Sequence, residues 1–484
     1  MIDSTYLLEQ PQRADPSTTF IVSASVLFVA GLFLMMWWGG TIAYMRLFYP
    51  AATFLIGVML YRAFPVLYIG FTWWVWFLSP MIRRVVDLQA GWADPNPILL
   101  APYLVGGITV FTLVQHAGRL REQSTFSFFL VLTGILLGYL VGVVRVSPFA
   151  ATFNLLQWIV PVLFGFHVYV NRQSFPQYRR TFTRVFLWGA LVMGAYALLQ
   201  FFFLPSWDAF WMVSSEMDSV GKAKPLEVRV FSTVNAPAPF AYAMIPGMLL
   251  IFAGRRLLNF LSAVAGYGGF LLSLVRSAWG GWLVGLLFLT MRTSGKGRSR
   301  LITVMLVSGL IALPLLSTGV ILDKVGARFE TFSSIEQDNS LNARLAAYKG
   351  VTIRILNDPI GYGMGVSGSA SRKVNDKVPV LDSGLLDIAL QLGWLGAFLY
   401  YWGLARLTLP LIREKRLRQD PLAVTFLSIV LAMISLLVFG KTQIGLGGMI
   451  LWSFLGLAAA GARYYAAEEE RMAEAEEAVF EPQA

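Results

Sequence analysis

The chain has no cysteine and only two histidines among 484 residues. Disulfides and thiolate metal sites are therefore excluded, and a histidine-rich metal centre is not expected. Any catalysis must rest on Arg, Lys, Asp, Glu, Tyr and Ser. Charge is also scarce, at 13% of residues against about 25% in soluble domains. Hydrophobic residues make up 57%, and the mean hydropathy is +0.64. Such a chain needs a lipid bilayer as part of its solvent. Acidic residues are the rarer sign, 27 against 38 Lys and Arg, for a formal net charge of +11. In a soluble protein that excess would suggest nucleic acid. Here the basic residues fall mainly between apolar runs, where the positive-inside rule reads them as topology signals, and no nucleic-acid partner is expected.

What is present is a series of apolar runs. Segments of about 17–25 such residues are long enough to cross a hydrocarbon core as helices, with the backbone satisfied internally. Strong runs lie at 20–38, 125–143, 184–204, 301–320 and 422–439. More polar ones lie at 44–61, 66–80, 98–116, 149–170, 237–253, 258–275, 277–291, 384–409 and 443–461. The expected fold is all-α and polytopic, with about fourteen spans. The polar residues 1–19 carry no cleavable-signal pattern, because the first apolar run already has the length of a span. Alternating the spans puts the basic clusters Arg119/Arg121, Arg172/Arg179/Arg180/Arg184, Arg255/Arg256, Arg292/Lys296/Arg298/Arg300 and Arg413/Lys415/Arg416/Arg418 on one side. Both termini join them, which makes that side cytoplasmic.

The other side receives 81–97, 144–148, 205–236 and 321–383. The last is the longest loop, and a loop of that length is more often functional than decorative. Short helices are expected within it, since Leu341, Leu345 and Tyr348 recur at helical spacing, as do Val351 and Ile355. The domain organisation is then a cytoplasmic segment 1–19, an N-terminal membrane bundle 20–224, a second membrane unit 225–465 with its external loop 321–383, and an acidic tail 466–484. The tail reads as a solvated helix or disordered extension.

Candidate chemistry shows itself as charge that topology does not explain. Arg276 lies in Ser273 to Gly280 (SLVRSAWG), between two closely joined apolar runs, and violates the positive-inside pattern. It fits an interfacial arginine snorkelling to headgroups or a fixed cation aimed at phosphate. Arg229 precedes the proline-containing segment Phe231 to Ala241, which includes Asn235. It fits either the same surface or a local pair with Glu227. Arg344 falls on an expected amphipathic helix and by itself reads as a solvated face. Asn357 to Gly365 carries three alternating glycines, Gly361, Gly363 and Gly365, after a proline turn. Such a loop lets backbone N–H groups approach an anion, although most such turns only connect elements. It matches neither a Walker A nor a dinucleotide fingerprint. Trp207, Trp211, Tyr348 and Tyr362 could stack on a ring or simply anchor the interface.

Taken in order, these pieces resemble the O-antigen ligase and O-antigen polymerase superfamily of bacterial integral-membrane glycosyltransferases. The resemblance covers roughly residues 225–405. It rests on Arg229 with Asn235 to Ala241, the turn Ser273 to Ser277, Arg344 ahead of Asn357 to Gly363, and Asp382-Ser383-Gly384 followed by Leu392 to Gly396 (LGWLG). Many relatives have His followed by Asn or Ser where this chain has Asp382-Ser383. His116 and His167 lie near the cytoplasmic ends of spans and read as structural. Asp382 could replace a histidine base, or cap the helix that follows.

The resemblance implies an enzyme of the inner membrane, multi-pass, acting on the periplasmic side. Its donor would be an undecaprenyl-diphosphate-linked oligosaccharide and its second substrate an acceptor glycan, with other polysaccharide-assembly membrane proteins as further partners. Arg276 and Arg344 would bind the diphosphate, Asp382 would be the base, and Arg229, Asn235, Tyr348, Gly361 and Gly363 would line the substrate site. Guanidinium groups suit that role because they stay charged and engage two oxygens at once. No cofactor and no metal are expected. The departure from histidine favours a polysaccharide polymerase. A ligase transferring glycan to lipid A–core or protein is the close alternative, and a lipid-linked oligosaccharide flippase or transporter is the second.

Overall fold

A computed structural model describes residues 41–120, 122–123, 125–253, 257–293, 299, 339–367 and 381–480. Those residues form helices and connecting turns without any strand, and one isolated bridge joins Gly221 to Val228. Among the described residues, eight helical stretches are long and apolar enough to cross a bilayer: Ile42–Ala63, Pro65–Ala90, Pro97–Gln115, Phe126–Arg145, Pro148–Val170, Arg172–Phe203, Gly384–Arg413 and Gly445–Glu476. Pro237–Leu250, Leu257–Leu272 and Pro421–Leu436 are shorter apolar helices. The expected runs 20–38 and 301–320 lie outside the described residues, as do 321–338 and 368–380 of the long loop.

Numbered in chain order, the α-helices are α1 (Met45–Ala63), α2 (Pro65–Ala90), α3 (Ala101–Gly107), α4 (Val110–Gln115), α5 (Phe126–Arg145), α6 (Pro148–Val170), α7 (Phe175–Phe203), α8 (Ser206–Ser215), α9 (Pro237–Leu250), α10 (Leu257–Leu272), α11 (Arg276–Arg292), α12 (Asn339–Asn357), α13 (Gly384–Arg413), α14 (Pro421–Leu436) and α15 (Gly445–Phe480). Prolines in the first turn open α2, α6, α9 and α14, where a missing N–H costs nothing. Ser147 and Asp420 cap α6 and α14 by accepting from Ala150 N at 3.1 Å and Leu422 N at 3.0 Å. The last helix continues unbroken from its apolar half into the acidic stretch, so 466–480 is helical.

Apolar side chains give no net hydrophobic drive for helices to associate within lipid, so close backbone packing has to supply it. Small residues supply it here. Gly134 of α5 abuts Gly396 of α13, Gly165 of α6 abuts Trp452 of α15, and Gly194 of α7 abuts Ala265 of α10. Large aromatics fill the spaces between, with Trp73, Trp158 and Trp452 fully buried. The opposite faces, including Leu136, Leu140, Trp188, Leu283, Phe398 and Trp402, stay exposed. Exposed apolar side chains of this kind suit lipid contact.

The helices alternate so that polar groups collect at two ends. At one end Arg179 Nη1 donates to Asp420 Oδ2 at 2.7 Å, Tyr465 donates to the same oxygen at 2.7 Å, and Arg416 pairs with Glu469 at 2.6 Å. This is the basic end. At the other, the loop end, Arg84 of α2 pairs with Asp208 of α8 at 2.9 Å, and Arg145 of α5 pairs with Asp358 after α12. His167 accepts from or donates to Thr112 Oγ1 at 2.7 Å through Nδ1, and His116 Nδ1 lies 3.0 Å from Thr112 O, which ties both histidines to one helix–helix seam.

Candidate functional site

The turn between α10 and α11 is held by Arg229. Its Nε and Nη2 donate to the carbonyls of Ser273 and Leu274 at 3.3 and 3.2 Å. Glu227, the local partner weighed for it, ion-pairs with Lys222 at 3.3 Å. Two residues after Leu274, Arg276 is the first residue of the 17-residue helix α11. A helix N-terminus carries roughly half a positive elementary charge from its aligned peptides, so a cation is the disfavoured residue there. Arg276 and the helix dipole therefore add, and their combined field favours an anion at this point.

The segment from Arg229 to Asn235 is fixed from beneath by two fully buried side chains, Arg84 and Asp208. Arg84 also donates to the carbonyls of Ser232 and Val234, and its guanidinium lies 4.9 Å from the centre of the Phe231 ring. Asp208 Oδ2 accepts from Tyr196 at 2.8 Å and Gln200 at 2.7 Å, while Gln200 Oε1 accepts from Phe231 N and Ser232 N, both at 2.9 Å. Burial holds the Asp208 carboxyl above its ordinary range, a shift that Arg84, Gln200 and Tyr196 reduce without reversing. Asn235 sits two residues before Pro237, with its Oδ1 buried and accepting no hydrogen bond. Trp211 is buried with its ring 5.1 Å from that of Phe231, and Trp207 Nε1 donates to Tyr196 at 2.6 Å. Both indoles thus anchor this end of the fold.

The opening of α13 lies at the same end. Gly384 N and Leu385 N donate to the carbonyls of Gly440 and Leu437 at 3.2 and 3.0 Å, joining it to the end of α14. Gly281 of α11 meets Leu436 of α14, one turn and a residue beyond Arg276. The expected alternative role of Asp382 as helix cap is filled by its neighbour: Ser383 Oγ accepts from Leu386 N at 3.4 Å. The serine side chain is shorter and sits one residue nearer the first free N–H groups.

One turn into α13 lies a residue the sequence reading passed over. Asp387 is fully buried, and both carboxylate oxygens are saturated. Oδ1 accepts from Lys441 Nζ at 3.0 Å and from Ser367 Oγ; Oδ2 accepts from Gln391 at 2.8 Å and Gln443 at 2.9 Å. Lys441 also reaches Ser367 Oγ at 3.3 Å. Four donors, one of them the Lys441 ammonium, converge on this carboxyl group and tie three segments together. A signal existed: Asp387 is the one acidic residue in the run 384–409, and an ionisable group inside a span is a functional-site hypothesis by default. Lys441, on the loop side between two apolar runs, breaks the positive-inside pattern just as Arg276 does.

The alternating glycines serve as a packing device. Gly361, Gly363 and Gly365 have φ of 84°, 85° and 92°, and a Cβ on Gly361 or Gly363 would strike the backbone of Gly393 or Gly142. Gly393 itself interrupts α13 with φ 68° to receive this loop: Trp394 N donates to Pro359 O and Tyr362 N to Leu390 O, each at 2.8 Å. The N–H groups of Gly361, Tyr362, Met364 and Gly365 all donate within the protein, so those four are not offered to an anion. Arg145 clamps the outside of the loop through Asp358 and through Gly361 O at 2.7 Å. Replacing Gly393 with alanine should unfold this end of the bundle, because the added Cβ would meet Ile360 and Pro359 backbone in a left-handed conformation. The check is monodispersity and thermal unfolding of G393A in detergent, with G350A, where no atom lies within 4 Å of the new Cβ, as the tolerant control.

Arg344 and Tyr348 both belong to α12. Its later turns pack on α13 through a small cluster of Val351, Val366, Leu381 and Leu390, with Tyr348, Tyr362 and Leu386 at the rim. Arg344 lies two turns ahead of Val351 along α12. The structure thus brings Arg229 and the Arg276 turn together, joins Gly384 and Leu385, just after Asp382, to the α14 end, and packs the Tyr348 helix on α13. Compared with known families and with curated proteins, the chain matches no family model and no curated relative.

Proposed function

We propose that the protein is a polysaccharide polymerase of a bacterial inner membrane, with about fourteen spans and both termini cytoplasmic, and that the loop end is its periplasmic active face. The observation that carries this reading is the Arg229–Arg276 turn: a guanidinium at the positive end of a helix, held in place by a second arginine, is an arrangement for a phosphate-bearing ligand. In the proposed reaction an acceptor hydroxyl attacks the anomeric carbon of the donor, the bond from that carbon to the diphosphate oxygen breaks, and undecaprenyl diphosphate leaves. Negative charge builds on the leaving diphosphate, where preorganised guanidinium groups lower the barrier. The hydroxyl proton passes to Asp382. Asn235 Oδ1, buried and without a donor, suits a sugar hydroxyl at the same end.

The test is reconstitution of the full chain in lipid vesicles with an undecaprenyl-diphosphate oligosaccharide, with and without lipid A–core. A ladder from donor alone is the expected product. Product requiring the second acceptor would identify a ligase, and no covalent product in either mixture would move the assignment to transport. Asp382 and Ser383 are separable in this assay. Asp382→Asn should stop extension while leaving thermal stability intact. Ser383→Ala should lower stability by about 1 kcal/mol through the lost cap and leave extension running.

A further inference from the structure

The basic end holds a feature with no part in this chemistry. A cleft of about 710 Å³ opens beside the last turn of α13, lined by Leu409, Pro410, Arg413, Lys415, Arg416 and Glu469 among others. Its apolar wall continues a stripe of exposed residues along α13, Leu395, Phe398, Trp402 and Leu409, at successive spacings of three, four and seven residues. Its polar wall is unevenly balanced. Arg416 is neutralised by Glu469 at 2.6 Å and faces Glu414 at 3.8 Å, and the bond to Glu469 pushes the Arg416 guanidinium above its ordinary value. Arg413 and Lys415 are exposed and have no ion pair among the described residues. We infer that this cleft binds the phosphate headgroup of an anionic phospholipid, with Arg413 and Lys415 on the phosphate and the acyl chains lying along the α13 stripe.

The arrangement suits a lipid better than a free anion. Two unpaired cations at the mouth of a groove would hold any phosphate, but only a molecule with chains also covers the apolar stripe that runs away from them into the bilayer. Glu469 has a defined effect in this scheme. By occupying Arg416 it keeps a third cation from the headgroup, so its removal should strengthen binding. A merely structural role for the Arg416–Glu469 pair predicts the reverse or nothing.

The test titrates phosphatidylglycerol against the delipidated full chain in detergent, with phosphatidylcholine and inorganic phosphate as separate arms, and reads thermal stabilisation and retained lipid by native mass spectrometry. Phosphatidylglycerol should stabilise saturably and the other two should not. The pair Arg413→Gln with Lys415→Gln should weaken the apparent affinity roughly tenfold. Arg172→Gln with Arg180→Gln removes the same charge from exposed positions at the same end and should leave the affinity unchanged. Glu469→Gln should tighten it. Equal weakening by the two double variants would reduce the effect to general surface charge and overturn the site. Full protection by inorganic phosphate would assign the cleft to a free anion and overturn the lipid.

Discussion

Arg276→Ala should slow chain extension in reconstituted vesicles by roughly 100- to 1000-fold, the equivalent of about 2.7–4 kcal/mol in the barrier, while the protein remains folded. The size follows from the setting. The guanidinium belongs to the first residue of α11, where it adds to the peptide dipoles instead of opposing them and strengthens the field that meets developing negative charge. Arg276→Lys keeps the charge but loses the planar fork, and should fall between wild type and alanine. An alanine variant that extends chains at the wild-type rate would sink the phosphate role.

Asp208→Ala should destabilise the protein by about 3–5 kcal/mol, because it strands a buried guanidinium. Arg84 and Asp208 are both 0% exposed and 2.9 Å apart. Tyr196 and Gln200 lose an acceptor in the same step. The double variant Arg84→Met with Asp208→Leu should recover much of that loss, since no buried charge is then left unpaired. Thermal unfolding in detergent reads both effects. Activity should separate them. The double variant restores packing but lacks the donors to Ser232 and Val234 carbonyls, so the segment leading to Asn235 should stay misplaced and extension should stay slow.

Arg276 and the Arg84–Asp208 pair occupy different layers of one end of the molecule. Arg276 faces the proposed ligand through a helix terminus, whereas Arg84 and Asp208 act one layer below by fixing the chain between Arg229 and Asn235. Asp387 performs a similar task on the other flank, joining α13 to Ser367 and to Lys441 and Gln443 ahead of α15. Charges buried at such depth are expensive unless paired, which is why each has several partners.

Composition and spacing alone determined that the described chain is helical, and they located its elements closely. The runs 44–61, 125–143, 149–170 and 384–409 correspond to Met45–Ala63, Phe126–Arg145, Pro148–Val170 and Gly384–Arg413. They are legible because a long apolar segment in lipid has to satisfy its backbone internally, a requirement each segment meets without its neighbours. Within the described part of the long loop, the helix Asn339–Asn357 spans the stretch where Leu341, Leu345 and Tyr348 recur at helical spacing. Arg229, Arg276 and Arg344 stood out as charges that topology left unexplained, and Asp382 through the family resemblance alone.

Tertiary structure alone decided what those residues touch. Arg84 and Asp208 are 124 positions apart in the numbering, Asp387 and Lys441 are separated by 54, and Arg145 and Asp358 by 213. No local pattern announces such partners. The glycines after Asn357 read as a loop that could approach an anion, yet their positive φ serves the close passage of Gly361 past Gly393 and of Gly363 past Gly142. Asp382 read either as a base or as the cap of the following helix, and the turn geometry gives the cap bond to Ser383 instead. Helix formation is a property of one segment and its solvent. Charge pairing and backbone contact depend on which helices become neighbours, and that is settled only when the whole bundle packs.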